Sequence, residues 1–529
     1  MTTELAPSRA SLFAALRLAL GFALLKLLLQ FALTLWTGHI GYSYFRDEFY
    51  YLMCGRHLAW GYVDQGPLVA VQARVGELLF GDSLFAIRIL SAVAGAVAVG
   101  LTGLLTWALG ATRRAQTLAM LVLLCCPMYI GTAGFLSMNS CEPMFWMTCV
   151  LVLLLRSRDT ISARTAWIVF GISAGLGLLN KPSMAFFLIA LGAGLLLTSA
   201  RRVLWSRWTL VGVALMISLV LPFVLWQMHH HWAMLEFLHN KNSDGQVVHL
   251  SPLAFVKTQI LSIGPLQALF WIPGCIALLR ADSVFHARWL GVTFLAFFGI
   301  MMAMHAKDYY LAPIYPGMIA AGAIAWTTWL ERRAPQRAAG MLLALEAGLV
   351  ALTLLILPMA SPVLRPAAWV RYAQAMHFVP PKTETNDTGA LPQFYADRFG
   401  WTEMTRAAMS AYQSLPADEQ SRACIFTSNY GEAASFEFLA PRLFPGQVLP
   451  RVISGHNNYW IWGPRGCDGS VLIGAVSDTP AQIHEHFNTV KAFTTLDTPW
   501  AMPYEGITIY IVKDRNHAPW LWHDRKHYD

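Results

Sequence analysis

The 529-residue chain is 56% hydrophobic and only 13% charged, and its apolar runs recur at lengths that cross a bilayer. Its formal charge of +8 comes mostly from Arg between those runs, which fits loops beside anionic lipid and argues against a nucleic-acid surface. None of the eight cysteines makes a pair with metal-ligand spacing, so no zinc motif is present.

In chain order the apolar runs predict about eleven spans, at 12–36, 84–110, 115–133, 139–155, 164–180, 182–199, 208–227, 258–279, 287–304, 309–330 and 338–359. The first is too long for a signal-peptide core and no cleavage site follows it, so it reads as retained. The short connections after alternate spans carry Arg113-Arg114, Arg156/Arg158/Arg164, Arg201-Arg202/Arg207, Arg280/Arg288 and Arg332-Arg333/Arg337, and Arg9 precedes the first span. Basic short loops stay in the cytoplasm, so the N-terminus is expected there. Segments 37–83 and 228–257, and everything after residue 360, then face outward.

The fold expected is a polytopic α-helical membrane domain, residues 1–360, followed by an extracytoplasmic soluble α/β domain, residues 361–529. In that tail 423–428, 470–476 and 506–512 are strand-like, while 402–414 and 480–490 have helical spacing. It carries no GxGxxG fingerprint and no P-loop. Cys424 and Cys467 share this polar region, where a disulfide and two unpaired thiols are both compatible with an outer location.

The residues suited to chemistry gather in the outward segments. Tyr44 to Tyr51 alternates aromatic and ionisable side chains, Arg46-Asp47-Glu48 among them, and continues through Arg56-His57 to Asp64-Gln65-Gly66-Pro67. Aromatic rings at helical spacing suit a helix in the interface, where Asp47 could serve a hydroxyl as general base. Asp47 and Glu48 read equally well as a solvated turn or a helix cap. Glu142, at the start of a span, suits acceptor or metal binding, or a cap.

Asn180-Lys181-Pro182 sets a cation at an expected helix start with Pro182 as its first residue, a place for a phosphate. The plain alternative is a Lys reaching lipid headgroups. His229-His230-His231, with Glu236 and His239, suits headgroup contact better than a metal site, because adjacent histidines diverge on a helix. His305 to Tyr310, with Lys307 and Tyr309, opens another span and could also hold an anion. The aromatics of 454–464 fit sugar contact or, for Trp460 and Trp462, core packing.

Taken together these motifs resemble the GT-C membrane glycosyltransferases of the protein mannosyltransferase and aminoarabinose transferase superfamily. The pattern covers the membrane half: Asp47-Glu48, then Asp64-Gln65-Gly66-Pro67, Glu142, Lys181 in Gly177 to Pro182, and Lys307 to Pro313. Gln65 stands where some members have a basic residue or His, and Glu142 where Asp is common. The resemblance implies inverting transfer of a sugar from a polyprenyl-phosphate donor to a lipid, glycan or protein acceptor, at the outer face of a bacterial-type inner membrane.

On that resemblance Asp47 is the base, and Lys181, Lys307, Arg46 and Arg56 hold the donor phosphate. Glu48, Asp64, Glu142, Tyr309 and His231 line the acceptor or substrate side, and a divalent metal is left open. A transporter or flippase of a lipid-linked sugar is the competing reading. Transporters tend to set ionisable groups near the midplane and to show internal repeats, whereas these spans are largely charge-free and no repeat stands out.

Overall fold

The computed structural model describes residues 9–243, 250–280, 286–379, 387, 389–476, 478–516 and 522–528. The chain is mostly helical with one small sheet, and it divides into two compact units. The first unit comprises residues 1–36, 80–225 and 249–363; the second comprises 37–79, 226–248 and 364–529.

Each predicted span in the first unit is helical somewhere, but the helices are shorter and more broken than eleven straight crossings. Among the described residues five helices are long and apolar enough to span, six if one bent pair counts as a single crossing. The five are Ser11–His39, Leu84–Ala108, Met138–Ser157, Arg207–His229 and Ala338–Ala360. The bent pair is Pro252–Ile263 and Pro265–Leu279, which meet at 113° where a straight span over 258–279 was expected. Gly264 between them has φ +116°, a region costly for side-chain-bearing residues, and Pro265 starts the second helix without needing an N–H partner.

Two further expected spans break at proline or shorten. Residues 115–133 become Arg113–Leu124 and the short Pro127–Thr132, and residues 309–330 become a 3-10 turn, Asp308–Ile314, before the helix Tyr315–Arg333. Apolar side chains such as Leu20, Leu24, Leu28, Leu210, Leu221 and Leu354 stay exposed on the long helices, as a lipid-facing surface requires. The interior is built on aromatics: Trp146 stacks on Phe187 at 4.2 Å and meets Phe297 edge-on, while Trp271 and Phe294 both pack on Tyr315.

The second unit holds the sheet. Its strands are β1 Cys424–Thr427, β2 Arg451–Ser454, β3 Val471–Val476, β4 Phe487–Thr495 and β5 Thr508–Arg515, in the order β2-β1-β3-β5-β4. β1 runs parallel to β2 and β3, and β5 runs antiparallel to β3 and β4. β3 is buried along its whole length, as a continuous apolar run in a central strand should be. The helix expected at 402–414 is Trp401–Gln413, and the one at 480–490 stops at His484 because 487 onward pairs as β4.

The tail expected to begin at 361 starts beside the boundary at Val363 and Leu364, and the unit it belongs to also recruits 37–79 and 226–248. Tyr42 packs in one cluster with Trp369 and Tyr395, and Val63 packs with Ala233 and Tyr528. Polar contacts repeat the pattern. Gln227 donates to the Tyr62 carbonyl at 2.9 Å, and Lys526 pairs with Glu236 at 2.6 Å.

Cys424 and Cys467 form a disulfide across a 43-residue separation, with Cα atoms 6.2 Å apart. It ties β1 to the loop ahead of β3 inside the core that includes Leu472 and Val512. Closing a loop of that length removes denatured-state entropy worth about 4 kcal/mol before native strain is counted. Cys424→Ser/Cys467→Ser is therefore expected to unfold at lower temperature in a tryptophan-fluorescence melt. Alkylation of denatured, unreduced protein should label six of the eight cysteines; labelling of all eight would contradict the bridge.

Candidate functional site

The predicted residues divide between the units: Arg46, Asp47, Glu48, Arg56, Asp64 and His231 in the second, Glu142, Lys181, Lys307 and Tyr309 in the first.

In the second unit the helix Arg46–Arg56 opens with two acids, which a helix N-terminus favours. Only one of them points to solvent. The Glu48 carboxylate is fully buried and accepts from the Phe45 backbone N–H at 2.8 Å, so it caps the helix from its N3 position instead of facing an acceptor. Asp47 keeps 27% of its side chain exposed, accepts from the Tyr430 hydroxyl at 3.0 Å and lies 3.6 Å from Arg46 Nε.

Arg46 is fixed on several sides. Its Nη1 donates to the Tyr504 hydroxyl at 2.9 Å, and that hydroxyl donates to Asp397 Oδ1 at 2.8 Å. The guanidinium lies over the Tyr430 and Tyr504 rings at 5.9 and 6.0 Å. Gly431 lets the helix Tyr430–Leu443 approach this closely, since a Cβ there would meet Arg46 Cγ at 2.3 Å. Burial pushes the carboxyls of Glu432 and Glu505 up, and each raises the cost of charging the other nearby acids, so Arg46 serves an enclosed acidic group. Its assignment to donor phosphate competes with these carboxylates.

Tyr430 connects Asp47 to a second carboxylate. Its ring stacks on Tyr50 at 4.4 Å, and the Tyr50 hydroxyl lies 3.1 Å from Asp64 Oδ1 and 3.2 Å from Asn458 Oδ1 while accepting from the Asn458 N–H. Asn458 Oδ1 also accepts from the Val63 N–H at 2.8 Å, which fixes the loop bearing Asp64. Burial raises the Asp64 carboxyl to about 6; the Tyr50 hydrogen bond and the nearby His456 oppose this, and the Asp47 charge adds to it. His456 accepts from the Tyr430 N–H and stacks on His527.

Arg56 lies elsewhere. Nine residues after Asp47 on one helix, it is roughly 13 Å further along the axis, and its guanidinium is held by Glu77 through Nε and Nη2 at 2.9 and 2.6 Å. It is not part of the Asp47 cluster. His231 occupies the corner between two helices, with φ +54° there and +59° at Trp232. Among the described residues no three His, Cys, Asp or Glu side chains stand together as a metal-ligand set.

In the first unit Lys181 is the centre. Its Nζ donates to Glu142 Oε2 at 3.1 Å and to Asn139 Oδ1 at 2.8 Å, and it lies over the Tyr310 and Tyr309 rings at 4.1 and 5.1 Å. Ser183 donates to the other Glu142 oxygen at 2.7 Å. Lys181 and Glu142 are 6% and 2% exposed, so this is a buried, fully bonded ion pair. Lys307 is close enough that its charge acts on Lys181, and Asp308 follows it in the chain.

The expected helix N-terminus is not there. The following helix runs Met184–Leu196, and the Met184, Ala185 and Phe186 N–H groups already donate to the Lys181, Pro182 and Ser183 carbonyls. Any anion at this place meets side chains and not a row of free amides. Glu142, expected on the acceptor side, pairs with the expected phosphate cation.

Sequence reasoning missed Tyr430, and it read 454–464 for sugar contact without linking Asn458 or His456 to this cluster; Tyr430 and Asn458 lie 383 and 408 residues from Asp47 and Tyr50. One local signal was available: Asn429 and Glu432 form a capping box ahead of an apolar run, which marks a helix start at Tyr430.

The description dolichyl-phosphate-mannose-protein mannosyltransferase belongs to a family whose model matches residues 64–226. In sequence the chain is similar to an undecaprenyl phosphate-alpha-4-amino-4-deoxy-L-arabinose arabinosyl transferase of Pseudomonas fluorescens, 32% identical over 163 residues, which is 30% of this chain and 27% of that one. A transferase of the same description from Pseudomonas aeruginosa is 29% identical over 160 residues, 30% of this chain and 29% of its own. The chain thus spans less than a third of the length of these curated relatives. In fold it is similar to ArnT from Cupriavidus metallidurans, crystallised with undecaprenyl phosphate, at a TM-score of 0.58 and 14% identity over 93% of this chain and 98% of that chain. It is also similar to the arabinofuranosyltransferase AftD from Mycobacteria, at a TM-score of 0.52 and 15% identity over 95% of this chain and 42% of that one. In fold the chain resembles these membrane glycosyltransferases, and the family-model match covers residues 64–226.

Proposed function

We propose that the chain is an inverting glycosyltransferase that moves a sugar from a polyprenyl-phosphate donor to an acceptor hydroxyl at the outer face of a bacterial-type inner membrane. The observation that carries this reading is Asp47: a solvent-open carboxylate, oriented by Tyr430 and tied through Tyr50 to a second acid, in a chain of GT-C fold. The arabinosyl transferase names of the relatives support the donor class.

The acceptor hydroxyl loses its proton to Asp47 as its oxygen bonds to the anomeric carbon, and the bond from that carbon to the phosphate oxygen breaks on the opposite side. The leaving group departs as polyprenyl phosphate, and its growing negative charge is where fixed cations lower the barrier most. Lys181 and Lys307 take that role. Glu142 holds the Lys181 Nζ in place, and Lys307 adds a second cation near it.

A filter assay with radiolabelled polyprenyl-phosphate sugars and a panel of lipid, glycan and peptide acceptors tests the reading. Asp47→Asn should lower kcat by about 10²- to 10⁴-fold with little change in donor KM. Full transfer by the variant removes Asp47 as the base. Movement of labelled donor across vesicles with no transfer would replace the enzyme by a transporter.

The pH profile reports on Asp64. Its carboxyl is raised to about 6, so it is neutral at lower pH and charged at higher pH. If the charged form orients Tyr50 and the aromatic stack, kcat/KM falls below about pH 6, and Asp64→Asn flattens that limb at a reduced plateau. A limb unchanged in Asp64→Asn would assign the titration to another group.

Lys181 separates binding from folding. Lys181→Ala should weaken donor binding more than acceptor binding, but it also strands Glu142, and breaking a buried pair costs about 3–5 kcal/mol. The double variant Lys181→Ala/Glu142→Ala should recover part of the melting temperature and none of the donor affinity. Recovery of both would reduce the pair to a structural contact.

A further inference from the structure

The second unit contains a cavity of about 310 Å³ that the proposed chemistry does not use. Arg56, Arg451 and Arg465 line it together with Glu437, and Met53, Phe436 and Pro450 are among the apolar residues of the same lining. Arg56 is the residue that sequence resemblance assigned to donor phosphate and that the fold removes from the Asp47 cluster.

The charge around this cavity is unbalanced. Glu77 is shared by Arg56 and Arg74, and Glu437 is taken by Arg465 and by the Tyr459 hydroxyl. Arg451 donates its Nη1 to the Arg465 and Gly466 carbonyls at 3.3 and 2.9 Å and meets no carboxylate among the described residues. Of the residues that line the cavity three are arginines, and one, Glu437, is a carboxylate. Arg465 Nη2 is buried with no hydrogen-bond partner, a donor left open beside the cavity. Its guanidinium also lies over Tyr459 and Trp462 at 5.3 and 5.5 Å, and Trp462 stacks on His57, so this arginine is held in place.

We propose that this cavity binds a phosphate monoester. An excess of two guanidinium charges suits a dianion, and planar forks suit phosphate oxygens. A volume at the small end of ligand pockets, about 300–1,000 Å³, admits a headgroup and the first carbons beyond it and not a whole lipid. The apolar lining residues give those carbons a surface. The inference is independent of the transferase reading, since it concerns neither Asp47 nor Lys181.

Isothermal titration of the full-length protein in a neutral detergent decides it, with dihexanoyl phosphatidic acid, dihexanoyl phosphatidylcholine and inorganic phosphate as probes. Phosphatidic acid should bind saturably to wild type and to Lys181→Gln, and phosphatidylcholine should not. Arg451→Gln should weaken it by about tenfold or more, with Arg451→Lys in between, because charged hydrogen bonds to phosphate are lost. Inorganic phosphate binding as tightly as phosphatidic acid would identify a free phosphate as the ligand; weaker binding would identify a lipid or sugar headgroup seated on the apolar residues. Equal affinity in wild type and Arg451→Gln, equal binding of phosphatidylcholine, or loss of binding in Lys181→Gln would each overturn the proposal.

Discussion

A charge in an apolar chain must be met by an opposite charge or by hydrogen bonds, and most of what is distinctive here follows from that constraint. Lys181 meets it with Glu142, Asn139 and two tyrosine rings, and Glu142 meets it with Lys181 and Ser183. Neither partner can be removed without stranding the other. The pair therefore couples the start of the helix Met138–Ser157 to the junction before Met184–Leu196, and it sets Tyr309 and Tyr310 against the same cation. On the proposed function, stability and donor affinity draw on the same atoms there.

The second unit solves the same problem with one cation among several acids. Arg46 lies beside Asp47 and reaches Asp397 through Tyr504, while burial keeps Glu432 and Glu505 from charging freely. Because Arg46 starts the helix that carries Asp47, this arrangement fixes the helix in place before any substrate arrives. Preorganisation of that kind lowers the reorganisation a reaction needs at its charged groups.

The sequence made part of this legible. Apolar runs located the helices, and the order of acidic and basic motifs pointed to the superfamily that the fold resembles. Straightness was misread because periodicity says where apolar surface lies and not whether Gly264-Pro265 or Cys126-Pro127 interrupts it. For Glu48 the sequence left acceptor contact and a helix cap both open, because an acid at N3 looks the same in either role; the buried Phe45 N–H contact is that of a cap. Tyr430 and Asn458 could not be found from spacing, since long-range pairs leave no local period.

Two carboxylates with different surroundings are the usual signature of divided labour in a site that moves protons. Asp47 keeps 27% of its side chain exposed beside a guanidinium, and Asp64, itself only partly buried, faces Tyr50 with its carboxyl raised to about 6. Stacked Tyr50 and Tyr430 join them, and each ring's hydroxyl faces a different acid. On the proposed function a substrate hydroxyl reaches Asp47, whereas Asp64, with its carboxyl raised to about 6, can alter the hydroxyl network around Tyr50 as it changes charge. On the proposed function that asymmetry makes Asp47 the group that takes the proton and Asp64 the positioning residue, an assignment that depends on their partners and not on which acid stands first in the motif.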